Sequence, residues 1–410
     1  MWVRAVLVLL FSVMGFALAE AAATISLKRG LPTDIWLTWP DEKAWSEPGF
    51  LDVYPEWRKA YGPTHLKAVR AAGFDFMRLT VDPAPYISEA TPARTAHMIA
   101  GVLQSVAEIK AAGLKVIVDL HAVPVSGRKA GTETYLRDEK SFATYLSFVA
   151  AMAQALTKED PAWVAFEPIN EPTIDCPWET GPNMQRWPAM ALRLHDVARR
   201  AAPKLSIVMS GGCWGGAEGL TKLTPSAFKD ANMYWSFHSY EPFLISHQGA
   251  SWTDGPTKFI RGLSYPPDKS QKNKILNAAA SRIKASPLAA DAKRAMADNL
   301  RNDIDSYFTP GRVEKSILMP FELVQHWATE NGVLPGQIIL GEFGVIKQDQ
   351  DAPTRETIRV ALMEKTRRLA EDAGMAWSVW CWGGSFGITQ EEAKREFSPA
   401  ILKALGLGEP

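Results

Sequence analysis

The sequence has no excess of either charge. Its 410 residues include 45 Lys and Arg against 45 Asp and Glu, so the formal net charge is zero. Nucleic acid is therefore not expected as the main partner, because binding phosphates depends on a basic excess. The remaining composition, 47% hydrophobic and 22% charged, is that of a soluble globular protein. The length suits one large α/β barrel with insertions or two domains.

Long hydrophobic runs are also scarce. The only apolar run of note is 5–18, which follows a short positive region containing Arg4 and precedes a small-residue site at 17–19. This pattern predicts a signal peptide over 1–19, with alternative cuts after Ala21 or Ala23, and a secreted or periplasmic protein. The run is short for a membrane-spanning helix, so an uncleaved anchor is the alternative and no stable membrane insertion is expected after cleavage.

Cysteine is the third scarce feature. No pair among Cys176, Cys213 and Cys381 has the spacing of metal ligands, and no other group of residues indicates a metal site. We therefore expect no metal and no cofactor. An odd number leaves at least one cysteine unpaired in a monomer, while an oxidising compartment would allow one disulfide.

Repeats, low-complexity tracts and linkers are absent, so a second module is not predicted for 20–410. The mature chain instead alternates β-branched runs with helical stretches, which is typical of a parallel sheet with crossover helices. A doubly wound sheet is the alternative, but no Gly-rich phosphate turn follows the first run. We predict a (β/α)8 barrel. The eight predicted strands are 26–30, 76–80, 116–121, 163–170, 206–211, 233–238, 338–342 and 376–382.

Helices are predicted between these strands. One interval, from Tyr240 to Gln337, is far longer than a simple connection needs. We interpret 241–318 as an insertion over the rim of the barrel, between strands six and seven, near the substrate cleft. The predicted helices are 63–72, 94–112, 186–201, 320–330 and 353–373.

Two glutamates follow buried strands at distant points of the chain. Glu171 lies in FEPINEP at 166–172, and Glu342 lies in IILGEFG at 338–344. In a barrel of this kind the active site lies at the carboxyl ends of the strands. Two carboxylates there can form a glycosidase pair, in which one protonates the leaving oxygen and the other attacks or stabilises the sugar cation.

Further polar and aromatic residues stand at strand ends, where one alone would mean little but the set is hard to explain by packing. Tryptophan is abundant, at 15 residues, and indole faces stack on sugar rings. The candidates beside the two glutamates are Arg78, His121, Asn170, His238, Tyr240, Trp380 and Trp382.

These motifs resemble glycoside hydrolase family 5, the cellulase family. The resemblance spans about 26–387 and includes the first strand, Lys28-Arg29-Gly30-Leu31. The other motifs are Met77-Arg78-Leu79, Asp119-Leu120-His121, Asn170-Glu171-Pro172, Phe237-His238-Ser239-Tyr240 and Gly341-Glu342-Phe343-Gly344.

The resemblance implies a role for each matching residue. Glu171 would be the acid/base and Glu342 the nucleophile. Asn170 would bind the sugar 2-hydroxyl, Arg78 would orient the nucleophile, and Tyr240 would donate a hydrogen bond to it. His121 and His238 would line the catalytic subsite. A tryptophan of strand eight would form the floor under the sugar, and Trp382, nearer the strand end, is favoured over Trp380.

The residue chemistry agrees with these roles. A general acid must hold its proton near neutral pH, so Glu171 needs a raised pKa. Arg78 and Tyr240 would favour the ionised nucleophile, and the Asn170 amide can both donate to and accept from sugar hydroxyls.

Several neighbouring residues have weaker claims to a role. Glu167 is expected to be a structural carboxylate deeper in the barrel, and His195 a structural histidine of a helix. The disulfide is predicted between Cys176 and Cys213, because they follow adjacent strands on one rim, with Cys381 as a buried thiol. Possible cleft residues are Trp36, Trp39, Trp214, Glu241, His247 and Trp252.

The sequence thus predicts a monomeric retaining glycoside hydrolase that cleaves a polysaccharide, with an endo-β-glucanase as first choice. A β-glucan transglycosylase or a β-mannanase on the same fold are alternatives, because loops set the subsites. A non-catalytic glycan-binding protein is the alternative of another class, and the presence of both glutamates argues against it.

Overall fold

The computed structural model describes residues 25–33, 62–88, 91–122, 132–177, 185–347, 354–391 and 394–408. The predicted signal peptide, 1–19, lies outside these ranges, as do Trp36 and Trp39. The signal peptide and the predicted domain bounds stay predictions.

Eight parallel strands form a closed barrel in the order of the chain, which confirms the predicted (β/α)8 fold. The first strand pairs with the second, Gly30 opposite Phe76, and with the eighth, Arg29 opposite Trp377, so the ring closes. The strands are β1 (Arg29–Pro32), β2 (Phe76–Val81), β3 (Lys115–Leu120), β4 (Val164–Glu167), β5 (Ser206–Ser210), β6 (Met233–His238), β7 (Ile338–Phe343) and β8 (Ala376–Val379).

The first, fourth and last strands differ most from prediction, and β4 ends at Glu167 rather than at 170. The first begins three residues later than predicted, at Arg29, and β8 ends at Val379 rather than at 382. A short two-stranded sheet follows the barrel, formed by β9 (Thr389–Glu391) and β10 (Glu396–Phe397).

Helices lie between the strands and pack around the barrel. The N-terminal helices are α1 (Pro63–Ala72), α2 (Ala84–Ser88), α3 (Pro92–Ala111), α4 (Thr132–Arg137), α5 (Glu139–Leu156) and α6 (Trp187–Ala201). Local sequence sets their ends. Thr91 accepts a hydrogen bond from the Arg94 backbone N at the start of α3, and Gly73, at φ 108°, ends α1 in the left-handed conformation that glycine tolerates.

The later helices complete this layer and fill the long connection between β6 and β7. They are α7 (Ala217–Leu220), α8 (Pro225–Phe228), α9 (Phe243–Ser246), α10 (Lys272–Ala285), α11 (Ala290–Tyr307), α12 (Arg312–Asn331), α13 (Glu356–Asp372) and α14 (Pro399–Ala404). Short 3-10 helices occupy Pro256–Phe259, Lys269–Gln271, Pro335–Gln337 and Gly384–Phe386. Within the described ranges, no helix combines the length and apolar character needed to span a bilayer.

The barrel interior changes from apolar to polar along the strands. Near their amino ends, inward-facing residues form a small buried cluster that includes Phe76, Ile117, Val208, Tyr234 and Ile339. Since successive strand residues alternate between faces, the next inward positions lie two residues further along. On β2, β3 and β6 these positions are Arg78, Asp119 and Ser236. The fold therefore places a buried polar layer directly above an apolar floor.

The segment that follows β6 begins beside this polar layer. Tyr240 packs edge-on against His247, with ring centroids 5.0 Å apart, and His247 also packs against Phe386. Further along, Tyr265 donates to Glu314. The predicted insertion, 241–318, therefore begins at the polar end of the barrel.

Candidate active site

The polar residues predicted at strand ends meet at the carboxyl end of the barrel. Direct hydrogen bonds and short contacts join every predicted site residue except Trp382. The joined residues are Arg78, His121, Asn170, Glu171, His238, Tyr240 and Glu342. Their catalytic and binding roles are treated below as proposals.

Arg78 lies at the centre and is fully buried. Its Nε and Nη2 donate to Glu167 Oε2 and Oε1 at 2.8 and 3.0 Å, and Nη1 donates to Glu342 Oε1 at 2.6 Å. Nη2 also faces Asn170 Oδ1 at 2.7 Å and Asp119 Oδ2 at 3.1 Å. Burial lowers the pKa of Arg78, but the surrounding carboxylates outweigh it and hold the pKa above its ordinary value. One permanent cation therefore fixes several oxygens.

Glu342 is held by two donors. Arg78 reaches one carboxylate oxygen, and the Tyr240 hydroxyl donates to the other at 2.8 Å. Burial and the neighbouring Glu342 raise the pKa of Tyr240, so its hydroxyl keeps the proton it donates. The preceding residue must be small, because a Cβ on Gly341 would lie 2.3 Å from Ser236 Oγ. Glu342 is thus held through both of its carboxyl oxygens and has limited freedom.

Glu171 lies in a different environment. It follows β4 with φ 41°, and His238 Nδ1 lies 2.8 Å from its Oε1. Burial raises the pKa of Glu171 to about 7 and lowers the pKa of His238 to about 4. Near neutral pH, Glu171 can therefore exist as a carboxylic acid beside a neutral His238 imidazole, with one proton in the hydrogen bond between them. Glu171 meets the pKa requirement of a general acid.

The two glutamates are close neighbours across the barrel. One carboxylate oxygen of each, together with a His238 ring nitrogen, lies within a set whose atoms are at most 4.8 Å apart. The sequence predicted no metal site, but these three atoms lie close enough together to surround one metal ion. Their closest contact, between His238 Nδ1 and Glu171 Oε1 at 2.8 Å, is a hydrogen bond. That hydrogen bond accounts for the proximity, and no metal is assigned.

Asn170 and His121 form a second contact beside the pair. Asn170 Nδ2 lies 3.3 Å from His121 Nε2, and its Oδ1 lies on Arg78. His121 Nδ1 in turn lies 2.8 Å from Asp119 Oδ2. Both ends of the Asn170 amide are therefore engaged, which fixes which way the side chain faces.

Glu167 is a structural carboxylate, as the sequence predicted. It is 1% exposed, and both of its oxygens accept from Arg78. Its position four residues before Glu171 places it deeper in the barrel, where it supports Arg78.

The choice of Trp382 as the sugar platform was wrong. Its indole is completely buried and stacks on Phe397 with ring centroids 6.3 Å apart. The prediction extended strand alternation to 382, but β8 ends at Val379, so alternation no longer governs the following residues. Trp380 is the half-buried tryptophan, and it stacks on His121 with centroids 5.1 Å apart. The aromatic surface beside the site is that of Trp380.

Three large aromatic side chains of the described ranges remain exposed on the carboxyl side or in the following loops. Trp214 is 43%, Phe243 42% and Trp252 48% exposed. Trp214 lies in a turn of consecutive positive φ angles, at Cys213, Trp214 and Gly215, and its backbone N donates to Pro172 O at 2.9 Å. It therefore flanks the segment that carries Glu171.

Three other residues noted in the sequence have partners outside the pair of glutamates. His247 stacks on Phe243 with centroids 4.2 Å apart, and burial lowers the pKa of His247 to about 3. Glu241 accepts from the Phe243 backbone N at 3.2 Å. His195 is buried and bonds to Asp230 at 2.7 Å, which confirms the structural role expected for it.

A disulfide joins Cys176 to Cys213, as predicted, with Cα atoms 4.5 Å apart. Cys381 is a buried free thiol, also as predicted. The bond ties the segment after Glu171 to the turn that carries Trp214. The prediction was correct because the two cysteines follow adjacent strands, β4 and β5, on the same rim of the barrel.

Asp119 belongs to the motif Asp119-Leu120-His121, but the sequence predicted no role for it. In the structure it contacts both Arg78 and His121. The signal was present, because Asp119 and His121 are two residues apart near the end of one strand and so share its inward face.

The family model for cellulase, glycosyl hydrolase family 5, matches residues 54–385. The chain is 27% identical over 271 residues to Endoglucanase 3 of Fibrobacter succinogenes, covering 66% of this chain and 36% of that protein. It is 21% identical over 225 residues to Endoglucanase C of Acetivibrio thermocellus, covering 53% of this chain and 63% of that protein.

Among solved structures, Thermotoga maritima Cel5A in complex with cellobiose matches with a TM-score of 0.62 and 18% identity, covering 92% of this chain and 97% of that one. The same protein has been solved with mannotriose. At this identity the likeness shows the fold. The chain spans between about a third and two thirds of the curated relatives it matches.

Proposed function

This chain belongs to the cellulase family, glycosyl hydrolase family 5, and on that premise we propose that it is a retaining glycoside hydrolase that cleaves internal β-glycosidic bonds of a β-glucan. Glu171 is the acid/base and Glu342 the nucleophile. Two curated relatives are named endoglucanases, which supports this substrate class.

The first step forms a covalent glycosyl-enzyme. Glu171 gives its proton to the glycosidic oxygen while a Glu342 oxygen attacks the anomeric carbon, so the bond to the leaving sugar breaks as the bond to Glu342 forms. The hydrogen bonds from Arg78 and Tyr240 orient the nucleophile before attack. Both donors remain to stabilise the carboxylate when it departs.

In the second step the ionised Glu171 takes a proton from water, whose oxygen attacks the same carbon and releases Glu342. Two inversions retain the β configuration. The observation that carries this proposal is the short distance between the two carboxylates, at most 4.8 Å between their nearest ligand oxygens. Inverting enzymes keep their carboxyl groups roughly 6.5–9.5 Å apart to admit a water between them.

The leaving sugar must lie on the side of Glu171, because that residue protonates its oxygen. Exposed Trp214 flanks the same segment and offers a face for stacking a sugar. A second sugar bound on the Trp214 face would favour another candidate function, transglycosylation. In that reaction a hydroxyl of the bound sugar replaces water in the second step. Thermotoga maritima Cel5A, which shares this fold, has been solved with both cellobiose and mannotriose, so mannan is included among the substrates to test.

We propose that the protein is exported. The apolar run at 5–18 with its small-residue site supports this. The Cys176–Cys213 disulfide supports it independently, since such bonds persist in oxidising compartments.

The test is a screen of the purified protein on β-1,3-, β-1,4- and mixed-linkage glucans and on mannan. Chromatography should show internal cleavage of a β-glucan, and proton NMR at early times should show the β-anomer. The Glu342→Gln variant is the inactive control. Activity on none of these polymers, or release of the α-anomer, would contradict the proposal, and longer oligosaccharides at high substrate concentration would favour transglycosylation.

A further inference from the structure

Asp119 is a buried carboxyl group with no part in the two-step reaction, and burial raises its pKa to about 7 although the neighbouring Arg78 opposes the shift. It lies on β3, is 0% exposed, and has one oxygen, Oδ2, placed between two partners. Arg78 Nη2 lies 3.1 Å from that oxygen and His121 Nδ1 lies 2.8 Å from it. Burying a carboxylate is costly, so the position calls for an explanation beyond filling space.

The hydrogen bonds around Asn170 show which nitrogen of His121 carries the proton. Arg78 can only donate, so the amide atom facing it must be the acceptor Oδ1, at 2.7 Å. Asn170 Nδ2, a donor, therefore faces His121 Nε2 at 3.3 Å. That nitrogen must accept, so it carries no proton. In a neutral imidazole the proton then lies on Nδ1, which donates it to Asp119.

Two further observations agree with a neutral, fixed ring. Burial lowers the pKa of His121, which disfavours a second ring proton. The ring also stacks on Trp380 at an interplanar angle of 12°, which fixes its plane. The choice between the two nitrogens is thus left to the hydrogen-bond partners of the ring.

We propose that Asp119 is a positioning residue that selects the Nδ1–H form of His121 and, through His121 Nε2, holds the Asn170 amide ready to bind the sugar 2-hydroxyl. The contact of Asn170 with that hydroxyl rests on the proposed function. The selection of the His121 proton position does not, because it follows from contacts within the protein.

Loss of Asp119 removes the acceptor for Nδ1–H. A proton left on Nδ1 is then buried without its acceptor, while a proton on Nε2 would face the Asn170 Nδ2 donor. Rotation of the amide would only transfer the conflict, since Nδ2 would then face Arg78. Each arrangement leaves a buried donor unpaired or opposed to another donor, so neither the ring proton nor the amide has one preferred position.

The first experiment observes His121 directly, without substrate. Nitrogen NMR of protein labelled in the imidazole rings distinguishes the protonated ring nitrogen, and a His121→Gln variant assigns the signal among the seven histidines. Wild type should show Nδ1–H alone, whereas folded Asp119→Ala should show an Nε2–H form beside it, because neither proton position then pairs every donor. Asp119→Asn should restore Nδ1–H, because its amide oxygen still accepts from both partners.

Glu167 supplies the matched control. It is also a buried carboxylate partner of Arg78, and within the described ranges it makes no hydrogen bond or ion pair with His121. Glu167→Ala should therefore leave His121 with its proton on Nδ1. An Nε2–H signal in wild type overturns the inference whether or not any variant folds, and so does an unchanged Nδ1–H signal in folded Asp119→Ala.

The second experiment compares an aryl β-cellobioside with its 2-deoxy analogue. In Asp119→Ala, kcat/KM for the full substrate should fall about 10–100-fold, the cost of one mispaired buried hydrogen bond, while the analogue should lose little. Equal losses on both substrates would indicate a merely structural role and overturn the inference. If wild type hydrolyses neither compound, the proposed function fails, and the NMR result still decides the role of Asp119.

Discussion

Replacing Glu171 by glutamine is expected to stabilise the folded protein at alkaline pH. Burial raises the pKa of this carboxyl from 4.5 to about 7, and only 18% of its side chain is exposed. Glutamine has nearly the same shape and its oxygen can still accept from His238, but it never becomes charged. The variant therefore removes the cost of ionising a buried group and leaves the contact in place.

The sign and size follow from proton linkage. Between about pH 4.5 and pH 7 the folded protein keeps the Glu171 proton while the unfolded chain loses it, so the stability of wild type falls as pH rises. At 1.36 kcal/mol per pKa unit, the loss is complete above pH 7 and amounts to about 3 kcal/mol. Below about pH 4 both states are protonated and wild type and variant should differ little.

Urea unfolding followed by tryptophan fluorescence, with the disulfide kept oxidised, measures this difference at about pH 4 and about pH 8. The stability gain of Glu171→Gln over wild type should grow by about 3 kcal/mol between these values. Glu133→Gln, at an exposed helical position, is the matched control and should show no such change. A constant difference across pH, or a variant less stable than wild type at pH 8, would refute the reasoning.

Three further outcomes are expected. Cys213→Ser opens a disulfide spanning 37 residues and should lower the free energy of unfolding by roughly 2–4 kcal/mol in urea; no loss would show that the bond is dispensable. Arg78→Met leaves buried carboxylates without their cation and should cost about 3–5 kcal/mol, whereas Arg193→Met, in an exposed pair, should cost about 0–1 kcal/mol. Trp382→Ala should lose about 3–5 kcal/mol of stability, while Trp380→Ala should raise KM about ten-fold with a smaller loss; the reverse pattern would contradict the reassignment.

Much of the fold could be predicted from sequence because its signals are local. Apolar strand runs and turn residues placed the barrel strands, with β6 predicted to the residue at both ends, as was helix α1. Strand order then brought the end of each strand to one rim, so residues as distant as Glu171 and Glu342 could be placed together. The disulfide followed from the same reasoning.

The remaining features depend on where regular structure stops. Trp382 was misplaced because β8 ends at Val379 and alternation carries no information beyond it. The proton position on His121 could not be predicted, since it depends on three side chains, Arg78, Asp119 and Asn170, whose contacts exist only in the folded chain. The packing of His247 against Tyr240 likewise joins residues of an irregular segment.

The central claim is that Glu342 forms a covalent bond to the sugar while Glu171 supplies the proton. Incubation with an activated 2-deoxy-2-fluoro-β-cellobioside should trap that intermediate, because fluorine slows both steps and the good leaving group restores the first. Mass spectrometry of the digested protein should then find one fluorosugar on the peptide containing Glu342 and none on the peptide containing Glu171. A label on Glu171, or hydrolysis of the natural substrate to the α-anomer with no labelled peptide, would contradict the account.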